Sequence, residues 1–320
     1  MARHPIRFGI QTGQQNIEWE RMLRLWRDAD AWGYDSLWNF DHFFPIFTDP
    51  TGPCLEGWTT LSALGQATCR ARVGHMVNGI TYRNPCVLAK MAATLDHVTG
   101  GRLNLGLGAG WFELEHRAFG VDFKTVPGRL RALDEACRIL KSMFAGEKFD
   151  FHGRHFRLEG ALGNPRPVQR PHPPLMIGGS GEKVLLRIVA EHADQWNSFG
   201  GPERMAHLVD VIRRHGDAIG RDTDEIEKTV MIPICYAASP EREKAVTGMV
   251  AAMQQCTPEE ARGRAMIGGR QECLDTVARY AAAGVTHVIF MSMPPLDDDV
   301  DRQLRAFAEE VAPVARAQVR

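Results

Sequence analysis

The chain has 320 residues, 44% of them hydrophobic and 24% charged, and carries a formal net charge of −1. This is the composition of a globular protein with a sizeable core, and its balance leaves no basic field for nucleic acid and no acidic tail. The length suits one large α/β barrel with insertions and does not require two domains.

Ile6–Thr12 reads as a strand, and residues 17–32 follow as a helix with Trp19, Met22, Leu23 and Trp26 on one stripe. Gly33 is the glycine expected just beyond the end of that helix. Ser36-Leu37-Trp38 then forms a short buried strand that stops at Asp41-His42. Residues 43–57 make a loop of aromatic, Pro and Gly residues, longer than a plain connection needs. Residues 59–70 read as a helix and Val73–Ile80 as a strand. Asn84-Pro85 is an N-cap followed by proline in the first turn, and the helix behind it buries Leu88, Met91, Ala92 and Leu95 up to Gly100-Gly101. Leu103–Leu107 is a strand leading into Gly106-Leu-Gly-Ala-Gly110, and 129–145 is a helix.

The alternation then breaks. Residues 149–158 alternate about Gly153 as a small hairpin, and 163–174 hold five prolines, which excludes regular structure. The rhythm resumes with a strand at Leu175–Ile177, a turn at Gly178-Gly-Ser-Gly181, a helix at 182–192, a strand at Asp194–Ser198, a helix at 202–219 and a strand at 229–236. Helices are expected at 240–253, 258–266 and 271–283, a last strand at His287–Ser292 and a last helix at 299–317. Eight strands alternating with helices predict a parallel, closed (β/α)8 TIM barrel in one domain spanning 1–320, with an insertion at 149–173 between strands four and five.

Several stretches carry candidate chemistry. Histidine is the side chain most easily poised near neutral pH, and in Asp41-His42 it follows the second strand, where barrel enzymes keep their reactive groups. A loop Asp-His pair that merely caps a turn is the plainer reading. Gly106–Gly110 lacks the third glycine of a dinucleotide fingerprint, because Trp111 stands there. Its small residues suit either a crowded strand end or backbone lying against a flat ring. Gly178, Gly179, Ser180 and Gly181, between a strand and a helix, suit a phosphate held by free N–H groups and the helix dipole, or a simple Gly-rich turn. Met76-Val77-Asn78-Gly79 ends the third strand with a bulge-prone glycine. Glu113 and Glu115 begin a helix and read as dipole partners, with Glu113 the candidate acid. His152 and His155 have no zinc spacing and no third ligand, so no metal site is expected. No Gly-x-Ser-x-Gly elbow, P-loop or His-Glu-x-x-His occurs. None of the seven cysteines forms a Cys-x-x-Cys pair, which reads as reduced thiols in a cytoplasmic protein. The N-terminal residues run straight into a strand pattern, and no apolar run reaches the roughly 18 residues of a membrane span, so neither secretion nor membrane insertion is expected.

Taken together, Gly33-Tyr-Asp-Ser-Leu-Trp38 with Asp41-His42-Phe43, Thr81-Tyr-Arg-Asn-Pro85, Leu88–His97 with Gly100-Gly-Arg102, Leu105–Glu113 with His116–Gly120, Pro174–Glu182 and Ala193-Asp-Gln-Trp-Asn197 resemble the luciferase-like monooxygenase superfamily. Within it the chain resembles the oxidoreductases that depend on the deazaflavin coenzyme F420. The resemblance implies F420 lying across the C-terminal ends of the barrel strands. Asp41 would contact the deazaflavin, His42 would face the hydride-transfer position, and Met76-Val77 would form a non-prolyl cis bulge under the ring. Asn78 would take a cofactor-contacting place, Ala109 and Gly110 would pass along the ring, and Gly178–Gly181 would bind the phosphate. The sugar-phosphate dehydrogenases of this family carry a Glu where Trp111 stands here, so a glucose-6-phosphate substrate is not expected. The leading reading is an F420-dependent oxidoreductase acting on a small organic molecule, assembled as a homodimer. A reduced-FMN monooxygenase on the same barrel is the alternative. A non-catalytic protein that binds a flavin or deazaflavin is the third reading.

Overall fold

The computed structural model describes residues 4–291 and 297–319. Strand β1 (Arg7–Gln11) is followed by helix α1 (Trp19–Trp32), which ends on Gly33 at φ 93°, and by β2 (Ser36–Asn39). Helix α2 (Gly57–Ala67) is capped by the Glu56 carboxylate, which accepts from the N–H groups of Trp58 and Thr59. Next come β3 (Arg72–His75), its short continuation β4 (Asn78–Gly79), α3 (Pro85–Val98) with Asn84 as cap, and β5 (Leu103–Gly108). Helices α4 (Glu113–Ala118) and α5 (Val126–Ala145) precede an antiparallel hairpin of β6 (Phe149–His152) and β7 (Arg157–Ala161). The proline-rich stretch behind the hairpin is irregular, with cis bonds before Pro165 and Pro171. The second half runs β8 (Leu175–Gly178), α6 (Leu185–His192), β9 (Gln195–Ser198), α7 (Pro202–Asp217) and β10 (Glu227–Tyr236).

The β1, β2, β3/β4, β5, β8, β9 and β10 positions, with β12 (His287–Met291), form a ring in which every pairing is parallel. The β9–β10 pairing, Glu227 opposite Gln195, closes it into an eight-stranded barrel. Ser292, expected at the end of the last strand, lies outside the described residues.

Two expectations fail. Val73–Ile80 is not one strand but β3 and β4 with Met76-Val77 between them. Residues 258–266 are not one helix: α9 stops at Arg262 after starting at Pro258, and Met266–Gly268 forms a strand, β11, paired with Ile234–Tyr236 at the far end of β10. Three residues carry no periodicity to read, and their state is decided by this long-range pairing. Between and around these lie α8 (Pro240–Gln254) and α10 (Arg270–Ala282). The closing helix runs from α11 (Asp298–Ala306) through a π turn at Phe307–Val311 into α12 (Ala312–Gln318). Pro313 sits just past the π turn; without an N–H it cannot continue an α ladder, and a wider turn absorbs the lost bond. Phe307 anchors this helix edge-on against Phe8 and Phe290.

The barrel interior is layered. Its middle is apolar, filled by Trp38, Met76, Met176, Met231 and Ile289. Its N-terminal end is polar, because the strands begin on polar side chains. The Ser36 hydroxyl meets His287 Nε2 at 2.9 Å and accepts from Trp38 Nε1 at 2.7 Å. Glu227 receives the Gln195 amide at 2.6 Å and lies 3.4 Å from Arg7 and 3.5 Å from His287 Nδ1. Burial alone would raise the Glu227 carboxyl, but His287, Arg7 and Gln195 hold it at about 2.

A carboxyl depressed in the folded state stabilises fully above its unfolded value of 4.5, and that stabilisation is lost as pH falls towards about 2. Glu227→Gln is therefore expected to cost about 2–3 kcal/mol at pH 7. In urea titrations at a series of pH values, the variant should also lose less stability than the parent between about pH 5 and pH 3.

Candidate active site

The opposite, C-terminal end of the barrel carries the other polar concentration. Strand β2 is buried at every position and delivers Phe40, Asp41 and His42 to the rim. Asp41 is 1% exposed, and Nη1 of Arg83 reaches both its oxygens, at 2.8 and 2.7 Å. Burial pushes the Asp41 carboxyl up, and the Arg83 charge opposes it. Nη2 of Arg83 also meets Glu56 at 2.9 Å, so the guanidinium is fixed by the α2 cap and the β2 rim together.

His42 is organised by a residue that its own neighbourhood in the sequence does not contain. Its Nδ1 lies 2.9 Å from Glu115 Oε2. Glu115 is wholly buried and also accepts from the backbone N–H of Phe43 at 2.6 Å, from that of Phe44 at 2.9 Å, and from the Tyr82 hydroxyl. Burial works to raise the Glu115 carboxyl, but the bonds from His42, Tyr82 and Phe44 outweigh it and hold it below the usual carboxylate range. Burial and the Glu115 charge push the Tyr82 phenol far up, so it stays a donor. An ionised Glu115 requires the proton of His42 on Nδ1, which leaves Nε2 as the working nitrogen. Nε2 has no hydrogen-bond partner among the described residues. The imidazole is walled by the edges of Phe40, Trp111 and Phe112, at 5.3, 5.5 and 5.8 Å between ring centres.

Glu113, the acid candidate, is not brought to His42. Its carboxylate is half exposed and pairs with Arg117 on the outer surface at 2.7 Å. Two residues along a helix turn the side chain by about 200°, so Glu113 and Glu115 face opposite ways. Phe112, Glu115 and His116, spaced i, i+3, i+4, share the inward face, and Phe119 at i+7 touches Phe43 and Phe44 but stays exposed. That spacing was the available signal. His116 is buried on it, between the Phe112 carbonyl at 2.9 Å and the Thr81 hydroxyl at 2.7 Å.

Beside His42, the peptide Met76-Val77 is cis. Met76 turns into the barrel, and Val77 lies half-buried at its mouth. A Cβ at Gly106, Gly108 or Gly178 would come within 3.0, 2.7 and 3.1 Å of the Val77 methyls, and at Gly106 within 2.1 Å of the His75 carbonyl. The space these glycines leave is thus occupied by the Val77 bulge. Asn78 is buried, its Oδ1 accepting from Trp58 Nε1 and its Nδ2 donating to the Gly106 carbonyl, both at 2.7 Å. It braces the bulge. Ala109 and Gly110 remain half-exposed along the rim.

The turn at 178–181 is held from β9: the Gly179 N–H donates to the Asn197 carbonyl at 2.9 Å, and Trp196 Nε1 donates to the Gly179 carbonyl at 2.8 Å. Gly179 has φ 131°, a conformation that favours glycine. Helix α6 starts behind the turn on Val184, which gives it no side-chain cap. The Leu186 N–H donates to the Gly181 carbonyl at 3.0 Å, and residues 178–180 stay half-exposed ahead of the helix. Away from the rim, Asp134, Glu191 and His192 come together, but Asp134 is spent on Arg138 at 2.6 Å and His192 at 2.8 Å.

Residues 3–253 match the sequence profile of the luciferase-like monooxygenase family. An F420-dependent glucose-6-phosphate dehydrogenase of Microbacterium testaceum (strain StLB037) is 25% identical, over 98% of both chains. An FMNH(2)-dependent dimethylsulfone monooxygenase of Pseudomonas putida is 34% identical over 49% of this chain and 47% of that protein. Among solved structures, an F420-dependent secondary alcohol dehydrogenase in complex with an F420–acetone adduct is alike in fold, with a TM-score of 0.85 at 20% identity over 97% of this chain and 99% of that one. With its barrel closed and its profile match covering most of its length, the chain belongs to the luciferase-like monooxygenase family.

Proposed function

We propose that this protein is an oxidoreductase that exchanges a hydride between coenzyme F420 and a small organic substrate. The observation that carries the reading is the His42–Glu115 pair at the strand ends, with Nε2 of His42 unpartnered among the described residues and facing an aromatic wall. The likeness over nearly the full length to an F420-dependent dehydrogenase supports the cofactor.

The residues present fit a flat carrier with an anionic tail. Val77, Ala109 and Gly110 would floor its ring, and the uncapped start of α6 with Gly178, Gly179, Ser180 and Gly181 would take its phosphate. When bound, the deazaflavin supplies a carbon that accepts or gives a hydride. His42 Nε2 takes the proton of a substrate hydroxyl, or returns it to a carbonyl oxygen, and Glu115 stabilises the imidazolium that forms. Asp41 and Arg83 stiffen the rim behind the imidazole, and Met76 and Asn78 hold the bulge. Glu113, exposed and paired with Arg117, takes no part. The second reading, a reduced-FMN monooxygenase, has the Pseudomonas putida relative in its favour.

Purified protein titrated with oxidised F420 should change the visible band of the coenzyme at micromolar concentrations. FMN retained through purification, with oxygen uptake, would instead establish the second reading. His42→Ala is expected to lower kcat by about 10²–10⁴ with the F420 dissociation constant little changed. Glu115→Gln should lower kcat by about ten- to a hundredfold, because the imidazolium loses its counter-charge.

We also take the protein to act as a homodimer in the cytoplasm. Trp19, Leu23 and Trp32 stay partly exposed on α1, and all seven cysteines are free. No helix among the described residues is long and apolar enough to cross a membrane. Light scattering should return the mass of two chains; the mass of one would remove the dimer.

A further inference from the structure

The four exposed aromatic side chains of the described residues are Phe47, Trp111, Phe119 and Phe199, at 67%, 53%, 55% and 49% exposure. All four lie in segments that follow the C-terminal ends of barrel strands: β2, β5, β5 and β9. Large rings left in water at one end of a molecule mark a binding surface. Three rings form a ladder. Phe47 stacks on Trp111 with planes 15° apart and centres at 5.8 Å, and Trp111 stacks on Phe112 at 27° and 5.1 Å. The inner rungs, Trp111 and Phe112, are the ones that wall His42. Flat apolar surface therefore runs from solvent to the nitrogen that handles the substrate proton.

Three cations on the segments that follow β4 and β5 already have partners. Arg83 is held by Asp41 and Glu56, Lys124 by Asp122, and Arg129 by the carbonyls of Gly110 and Lys124. Glu115 is buried beneath His42 with its four donors. A phosphate or carboxylate on the substrate would find no uncommitted cation among these, and would be desolvated against rings. Position 111 offers an indole in place of an acid, so His42 Nε2 remains to serve a single oxygen.

We infer that the substrate is an uncharged molecule carrying an aromatic ring, packed against the part of Trp111 that its stack with Phe47 and Phe112 leaves exposed, with its reacting alcohol or ketone oxygen on Nε2 of His42. This rests on the hydride-transfer reading. In the oxidative direction the carbinol C–H bond breaks and its hydride passes to oxidised F420. The hydroxyl proton passes to His42 Nε2, and the C=O bond forms. Trp111 is the specificity-determining residue, and Phe47 extends its face.

The test compares 1-phenylethanol, 2-butanol and glucose 6-phosphate as reductants of F420, for the parent, Trp111→Ala and Trp111→Phe. The parent is expected to favour the phenyl alcohol over 2-butanol by at least about tenfold in kcat/KM, and to leave glucose 6-phosphate unused. Trp111→Ala should cut that preference by roughly tenfold, and Trp111→Phe should restore most of it. F420 titration should give the same dissociation constant for all three proteins within about twofold. Turnover of glucose 6-phosphate at a rate matching the phenyl alcohol, or a preference untouched by Trp111→Ala, overturns the inference while F420 binding stands. If F420 does not bind, the parent reading falls. Saturation-transfer NMR with acetophenone then still decides: a signal in the parent that Trp111→Ala abolishes supports the ring site, and no signal in the parent removes it.

Discussion

One buried carboxylate sets the geometry of the mouth. Glu115 gathers the imidazole of His42, two consecutive amides of the loop behind β2, and the phenol of Tyr82 beyond β4. Three separate βα segments thus converge on two oxygen atoms. A carboxylate taken out of water is costly unless its lone pairs are filled, and here each oxygen receives two donors. Removing any partner leaves charge unmatched, so the segments hold one another in place. The tautomer of His42 and the path of the loop through Phe43 and Phe44 follow from the same contact.

The two ends of the barrel solve different problems with similar groups. At the N-terminal end Glu227, Gln195, His287 and Ser36 form a buried cluster in which the Gln195 amide bonds Glu227 and Ser36 bonds His287, while His287 Nδ1, Gln195 Oε1 and the second Glu227 oxygen make no hydrogen bond. At the C-terminal end the acid–imidazole contact is completed on one nitrogen and left open on the other. The apolar layer of Trp38 and three methionines separates them, so each network keeps its own electrostatics. The division agrees with the general rule that barrels keep stability below and chemistry above.

Much of this was legible in the amino acids. Strand ends, the Asn84-Pro85 helix start and the stop at Gly33 are local signals, and each needs only a few neighbouring residues to be read. The part that escaped depends on direction or distance. Glu113 and Glu115 look equivalent along the chain, and only the 100° step of a helix separates the exposed one from the buried one. The glycines at 106, 108 and 178 announce that something lies close, but the occupant, Val77, comes from another strand end. The strand Met266–Gly268 is defined by its partner on β10 and has no pattern of its own. The N-terminal cluster is assembled from the first residues of strands up to 280 positions apart, each of which reads alone as an ordinary polar flank.

Phe47 has a backbone in the left-handed region, at φ 61°, where a phenylalanine is held at a cost of about 1 kcal/mol or more. Its ring meets Trp111 across two different loops, whereas the buried frame is fastened through Phe43, Phe44 and Glu115. The outermost rung is therefore detachable. A glycine at 47 would ease the backbone and reshape the entrance without loosening the frame beneath. Such a division lets descendants of one barrel drift toward new compounds by exchanging rim residues, while the proton-handling machinery passes down unaltered.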